Sequence, residues 1–206
     1  MGQSRLALST LSILSNSTSR SRFLRALALA FLFAGQVRAE PEPAIGVSVR
    51  IQGDEVFVDV GFRVPVTPPE AWAVMTDYDH ATEFISKLEK SVILKRTDGM
   101  LLVSQKGTMG FGPFSVPIET VTEVNLTPYE KMHARLVSGN MKKNESTTWL
   151  IADAGGTRVA YHLQSIPEVW LPPIIGRAVV EYETRGRFRQ LVDEILRRKA
   201  MSEVQR

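Results

Sequence analysis

The sequence predicts an α+β fold, a curved antiparallel β-sheet wrapped around a long C-terminal α-helix with two short helices after the first strand. Three observations in the 206 residues predict it. Two runs of alternating apolar and polar residues flank Gln52–Asp54, as in a β-hairpin. About six further alternating runs, separated by short turns, follow from Val92 to Ile166, as in an antiparallel meander. An amphipathic segment then runs from Pro172 and Pro173 to about Ala200, and only a sheet that curves around this helix buries both apolar faces.

The second strand and the helix after it have clear local signals. Side chains alternate along a strand, so five apolar residues share one face, namely Val56, Val58, Val60, Phe62 and Val64. The tetrapeptide that starts at Thr67 predicts a helix start. Thr67 is placed as the N-cap, Pro68 at the first helical position, and Glu70 completes a capping box.

Asp77, Asp79 and His80 lie within four residues and raise the question of a metal or acid–base site. Residues one and two apart on a helix do not face each other, and no further His or Glu follows at a ligand spacing. The alternative is that Asp77 ends one helix, Asp79 caps the next, and Tyr78 packs inward. We favour the caps and predict no metal.

The other two histidines also lack the surroundings of a catalytic site. By strand alternation, His133 shares a face with Lys131 and Arg135, and His162 opposes an apolar face. We therefore expect both on the outer face of the sheet. No local pattern indicates a Ser-His-Asp arrangement.

The segment GTMGFGPF, from Gly107 to Phe114, is rich in glycine but is no phosphate loop. It lacks a Lys followed by a hydroxyl residue, and a strand follows it where a phosphate loop has a helix. Met109, Phe111 and Phe114 make the tip of this hairpin loop apolar. They either tuck into the core or line the mouth of a hydrophobic cavity, and we favour the cavity mouth.

Two longer stretches, VPVTPPEAWAVMTDYDHATEFI and GGTRVAYHLQSIPEVWLPPIIGRAVV, together with the order of elements, resemble the START-like (SRPBCC) superfamily. The closest branch in this resemblance is the polyketide cyclase/dehydrase and coenzyme Q-binding group. The resemblance covers about residues 45–200. It implies the helix-grip fold and one cavity whose entrance is surrounded by loops, including the connection Ile166–Ile175 and the loop Ser138–Lys142.

We predict that apolar loop tips gather around one opening between the sheet and the long helix. The helix itself carries Gly176, Ala178 and Gly186, which either allow close packing against the sheet or leave space for a ligand. The predicted cavity and its entrance comprise Met109, Phe111, Phe114, Met141, Tyr161, Trp170, Leu171, Ile175, Val179 and Tyr182.

Acid–base chemistry in such a cavity would need a carboxylate or a tyrosine. The candidates are Tyr161 on the sheet and Glu181, Tyr182 and Glu183 on the helix, and surface salt links would account for the two glutamates.

The N-terminal segment is predicted to be a secretory signal peptide, residues 1–39, followed by one ligand-binding domain, residues 40–206. Arginines flank an apolar run of about ten residues, which is short for a bilayer span, and Val37-Arg38-Ala39 places small residues for cleavage after Ala39. A mitochondrial transit peptide, a start codon placed too early and an uncleaved anchor are the alternatives.

Composition excludes several classes of function. There is no cysteine, so thiol nucleophiles, thiolate metal sites and disulfides are excluded. The net charge of +3 comes from the N-terminal segment, since residues 1–39 hold five arginines and no acidic residue. Of 25 basic residues, 25 − 5 = 20 remain against 22 acidic ones, which argues against nucleic-acid binding by residues 40–206.

The sequence therefore predicts a periplasmic or secreted protein that binds a hydrophobic small molecule, such as a lipid, a quinone or a polyketide-like compound, with no cofactor. Transient contact of its apolar loops with a membrane is a further expectation. The alternatives are a cyclase- or hydratase-type enzyme using the same cavity, or an interaction module for a protein or membrane. A titratable group inside the cavity favours the enzyme, and a filled cavity favours the interaction module.

Overall fold

One antiparallel sheet and one long helix dominate the structure, a computed structural model that describes residues 43–110, 115–168 and 173–205. For residues 173–175 only the backbone is described. The elements are β1 (Gly46–Gln52), β2 (Glu55–Val64), α1 (Pro68–Met75), a 3-10 helix (Tyr78–Glu83), β3 (Leu88–Thr97), β4 (Met100–Met109), β5 (Val116–Thr127), β6 (Lys131–Gly139), β7 (Met141–Asp153), β8 (Gly156–Pro167) and α2 (Pro173–Val204).

The sheet has eight strands in the order β1-β2-β8-β7-β6-β5-β4-β3. Strands β3 to β8 form the predicted meander, and β2 pairs with β8, so the first hairpin joins the end of the meander. The predicted fold class is confirmed, with the hairpin, the six meander strands and the long helix in their expected places. The helix runs four residues beyond the predicted end at Ala200.

The core lies between the inner face of the sheet and α2. The five alternating apolar residues of β2 are all buried, with Val58 fully inaccessible. From α2 the core receives Val180, Phe188, Val192 and Ile195. These two apolar surfaces match because side chains alternate with a period of two along β2. On α2, apolar residues one turn apart lie on the same face.

Helix α1 begins as its sequence predicts. The Glu70 carboxylate accepts hydrogen bonds from both the backbone amide and the hydroxyl of Thr67, each 2.7 Å long. Glu70 thus satisfies an amide that precedes the first helical turn, and Pro68 stands at the first position, where a missing N–H costs nothing. In the described parts of the chain, no helix has the length and apolar character needed to cross a bilayer.

The expected role of Asp79 as a helix cap is wrong. The second helix is a 3-10 helix that begins at Tyr78, so Asp79 lies inside it and Asp77 occupies the position before it. Neither carboxylate caps this helix. The Asp79 carboxylate instead accepts a 2.7 Å hydrogen bond from the amide of Ile93 on β3. Asp79 therefore ties the corner to the edge strand β3.

Asp77 belongs to an ionic network that joins the corner to the end of α2. Its carboxylate accepts hydrogen bonds from His80 Nδ1 at 2.6 Å and from Arg198 at 2.8 Å. Arg198 also contacts the buried carboxylate of Glu194, which in turn pairs with Arg197. Asp77 and Asp79 thus have separate partners and do not converge on one point.

The network should make the protein sensitive to acid. Hydrogen bonds from Arg197 and, against the cost of burial, from Arg198 hold the pKa of Glu194 below its ordinary 4.5. A carboxyl with a lowered pKa stabilises the fold above its unfolded-state pKa, and that contribution is lost as the pH falls through the folded-state pKa. We expect urea unfolding to show a loss of stability below pH 4.5, and the loss should be smaller in Glu194→Gln.

The matched control is Glu203→Gln, on the same helix, where the carboxylate is 62% exposed and lies 3.8 Å from Lys199. Exposed pairs contribute little, so this variant should follow the wild-type pH profile. Equal acid sensitivity of Glu194→Gln and wild type would contradict the assignment to Glu194. The His80–Asp77 contact acts in the opposite sense, because it raises the pKa of His80 above 6.5, and its contribution disappears at higher pH.

Candidate ligand-binding cavity

A cavity of about 630 Å³ lies between the inner face of the sheet and the first half of α2. Its floor is formed by paired inner residues of two neighbouring strands, since Val58 of β2 lies opposite Leu163 of β8, and Val56 lies opposite Ser165. The helix side extends from Val179 to Gln190. The other walls include Ile85, Lys87, Met109, Val116, Ile118, Asn140, Met141 and Pro167, contributed by the segment after the 3-10 helix and by strand ends.

The missing side chain at Gly186 leaves part of the cavity volume unfilled. It lies on the cavity wall, and a Cβ added there would meet no atom within 4 Å. The small residues of α2 were expected either to allow close packing against the sheet or to leave space for a ligand. Gly186 leaves space for a ligand. Gly176 is buried, which fits close packing, and Ala178 is exposed.

The floor of the cavity ends in a group of aromatic rings. Phe188 of α2 lies 5.0 Å from the ring of Tyr161 and 5.8 Å from the ring of Phe62, measured between ring centroids. Burial raises the pKa of Tyr161, although a hydrogen bond with Ser146 and the charge of Arg187 act against it. The phenol is therefore protonated at neutral pH.

Tyr78, the residue expected to pack inward from the corner, lies close to this group. It is packed against the core, and burial with the neighbouring Tyr161 raises its pKa to about 12.

Two sets of polar contacts hold α2 against one side of the cavity. Lys87 Nζ donates to the backbone oxygen of Gly110 and to the Glu183 carboxylate, both at 2.6 Å. Gln190 accepts a 3.1 Å hydrogen bond from the Ser86 amide and donates a 2.8 Å hydrogen bond to the Ser86 hydroxyl. These contacts connect the segment after the 3-10 helix, and the end of β4, to the helix.

The Glu183 side chain is more buried than the expected surface salt link would require. Its side chain is 13% exposed, whereas that of Lys87 is 39% exposed. The surface interpretation is therefore wrong for Glu183, because its partner Lys87, 96 positions earlier, covers it from another element. Glu181 agrees with the expectation, since it pairs with Arg185 one turn along the helix at 2.9 Å.

The turn between β6 and β7 is also fixed to the cavity wall by side-chain contacts. Asn140 accepts a 2.8 Å hydrogen bond from the Glu119 amide and donates a 2.8 Å hydrogen bond to the Pro117 carbonyl. Gly139 precedes it with a positive φ of 145°. The loop Ser138–Lys142 was expected at the cavity entrance, but Asn140 within it was not among the predicted site residues. Asn140 lines the cavity.

Five of the predicted site residues lie on the cavity wall, namely Met109, Met141, Tyr161, Val179 and Tyr182. Tyr182 lies on this wall with 64% of its surface exposed. Four others, Phe111, Phe114, Trp170 and Leu171, lie outside the described residues, as does the side chain of Ile175.

The histidines of the sheet lie on its outer face, as strand alternation predicts. His133 bonds Thr147 at 3.0 Å and lies 3.4 Å from Glu145, and His162 lies 2.7 Å from Asp59. Among residues 43–110, 115–168 and 173–205, no three His, Cys, Asp or Glu side chains form a group that could hold a metal ion.

A long helix gripped by an antiparallel sheet, with a cavity of ligand size between them, defines the helix-grip architecture of the START-like superfamily. The chain belongs to the family described as polyketide cyclase/dehydrase and lipid transport, whose family model matches residues 64–199. A search of the curated proteins finds no match.

Solved structures share the fold at low sequence identity. A STAR-related lipid transfer protein from Xanthomonas axonopodis superposes with a TM-score of 0.62 at 14% identity, covering 76% of this chain and 94% of that chain. The Zhui aromatase/cyclase from Streptomyces sp. R1128 has a TM-score of 0.59 at 17% identity, covering 70% and 95%. Human StAR-related lipid transfer protein 5 has a TM-score of 0.58 at 12% identity, covering 86% and 96%.

Proposed function

We propose that this chain is an exported protein that binds a hydrophobic small molecule, such as a lipid, a quinone or a polyketide-like compound, between its sheet and α2. The observation that carries the proposal is the cavity of about 630 Å³, floored by Val56, Val58 and Leu163 and left open beside Gly186. Volumes of roughly 300–1,000 Å³ are usual for small-molecule sites. Transfer of apolar ligand surface into the cavity contributes about 25 cal/mol per Å².

The cavity favours binding over the two other functions considered. An interaction module predicts a filled cavity, but the described residues leave a space of about 630 Å³ between the sheet and α2. An enzyme needs a group that exchanges protons near neutral pH. The Glu183 carboxylate in the wall is engaged by Lys87, and the raised pKa of Tyr161 keeps its phenol protonated. The description of the family includes lipid transport, and two of the similar structures are named lipid transfer proteins, which supports the same choice.

The ligand should accompany the protein through purification from its own host. Native mass spectrometry of the folded protein, followed by solvent extraction, should detect a hydrophobic compound. Adding that compound to delipidated protein should raise the free energy of unfolding by about 2.7 kcal/mol at a hundred times the dissociation constant. If a wide panel of lipids and quinones gives neither a bound mass nor stabilisation, the binding function is wrong.

Export to the periplasm or beyond is proposed from the N-terminal sequence, which lies outside the described residues. N-terminal sequencing of the mature protein should begin at Glu40. Recovery of protein that retains Met1 from the cytosol would show that the segment is not a cleaved signal.

A further inference from the structure

Three polar side chains on α2 face the cavity at regular helical spacing. Glu183, Arg187 and Gln190 are four and three residues apart, so they lie above one another on one face of the helix, and all three line the cavity. The outer two have partners on the segment that crosses them, since Glu183 pairs with Lys87 and Gln190 pairs with Ser86. Arg187, between them, forms no hydrogen bond or ion pair with any described residue.

The absence of a carboxylate beside Arg187 contrasts with its neighbours on the same helix. Arg185 pairs with Glu181 at 2.9 Å, and Arg197 and Arg198 both pair with Glu194 at 2.6 Å. Arg187 is exposed on the cavity wall, and its guanidinium carries five N–H donors and stays charged, so it can bind an anionic group that enters the cavity. Among the described residues, an anionic partner is missing.

Arg187 shares the cavity wall with a second donor that suits an anion, the hydroxyl of Tyr161. Its charge acts on the hydroxyl of Tyr161, which lies on the same cavity wall and is protonated at neutral pH. Tyr161 also packs against Phe188, the residue that follows Arg187. A guanidinium and a phenol therefore line the same cavity beside the aromatic rings, where a polar head group would adjoin an apolar tail.

The other charges of the wall limit the charge of the ligand. The described wall carries Lys87 and Arg187 against Glu168 and Glu183. The first glutamate, Glu168, is exposed and forms no ion pair with Arg187. Lys87 and Glu183 neutralise each other, which leaves Arg187 to attract an anion and Glu168 to repel a multiply charged one.

We propose that Arg187 binds the anionic group of an amphipathic ligand, so that the cavity selects a singly charged long-chain acid over a neutral compound of the same length. This inference rests on the proposed binding function and names its ligand class. The carboxylate of the ligand accepts hydrogen bonds from the guanidinium and from Tyr161. The hydrocarbon part lies along Val58 and Leu163, beside the space at Gly186.

Palmitate and cetyl alcohol test this inference, because they share one chain length and differ in charge. Calorimetric titration of the delipidated protein should give a lower dissociation constant for palmitate. Arg187→Gln should raise the dissociation constant of palmitate about tenfold, the loss expected for one charged hydrogen-bonded contact, and leave that of cetyl alcohol unchanged. Arg187→Lys should retain part of the preference because it keeps the charge.

Arg185→Gln is the matched control, since Arg185 lies two residues earlier, pairs with Glu181 and is not among the residues of the cavity wall. It should bind both probes as wild type does. Equal affinity of wild type for the two probes, or no effect of Arg187→Gln on palmitate, would overturn the role of Arg187 and leave the binding function standing. Failure of wild type to bind either probe would count against both.

Discussion

Gly186→Trp should abolish the binding of hydrophobic ligands and leave the protein folded. A side chain at this position points into open space, because a Cβ would meet nothing within 4 Å, and the position lies on the cavity wall. An indole would therefore occupy volume that a ligand needs, without displacing the sheet. Glycine in a helix interior costs about 1 kcal/mol relative to alanine, so its replacement carries no intrinsic penalty.

Thermal or urea unfolding with and without ligand measures this effect. Wild type should gain about 2.7 kcal/mol at a ligand concentration a hundred times its dissociation constant, and Gly186→Trp should gain close to nothing. The unliganded variant should unfold with wild-type cooperativity. If Gly186→Trp keeps the full ligand-induced stabilisation, the ligand binds elsewhere.

Two controls separate bulk in the cavity from other effects. Gly186→Ala should bind ligand normally and raise the free energy of unfolding by up to about 1 kcal/mol, because it removes a helix glycine. Ala200→Trp places the same indole at an exposed position farther along α2, outside the cavity wall. It should leave binding unchanged.

Gly139→Ala should destabilise the protein by on the order of 3 kcal/mol. The residue has a φ of 145°, a conformation that side chains rarely adopt, and a Cβ there would overlap the backbone oxygen of Glu119. The colliding atom is backbone and cannot rotate away. Relief would require β5 to separate from the turn, which would break the hydrogen bonds of Asn140 to Glu119 and Pro117.

Gly53→Ala is the control for backbone conformation alone. Gly53 has a φ of 65° in the β1–β2 turn, but a Cβ there would meet nothing within 4 Å. Its cost should be limited to about 1–2 kcal/mol for the left-handed conformation. Urea unfolding of both variants measures the difference, and equal losses would show that close approach to β5 is not what position 139 requires.

The interior of β2 shows how far the local pattern of the sequence reaches. Period-two alternation from Val56 to Val64 identified the buried face, and every member is buried in the structure. The same reasoning placed His133 and His162 on the outer face. These inferences succeed because strand geometry alone decides which side chains share a face. The helix start at Thr67 succeeded for a similar reason, since capping depends on residues three positions apart.

Asp79 and Tyr182 show where that reasoning ends. The residue type of Asp79 suits a cap, but its partner is the amide of Ile93, 14 positions later on another element. Tyr182 was predicted as a cavity residue and lies on the cavity wall, yet it is 64% exposed. Helical periodicity determines which residues share a face, and only packing determines what covers that face.

By itself the sequence determined the order of elements, the buried face of β2, the fold class and the position of several apolar residues that line a cavity. Each of these depends on spacing along the chain. Tertiary structure alone decided that Lys87 would meet Glu183, 96 positions away, and that Ser86 would meet Gln190. It also left Arg187 between them with no hydrogen-bond or ion-pair partner among the described residues. Such contacts depend on how the sheet curves against α2, and this long-range geometry is not encoded in the period of any local segment.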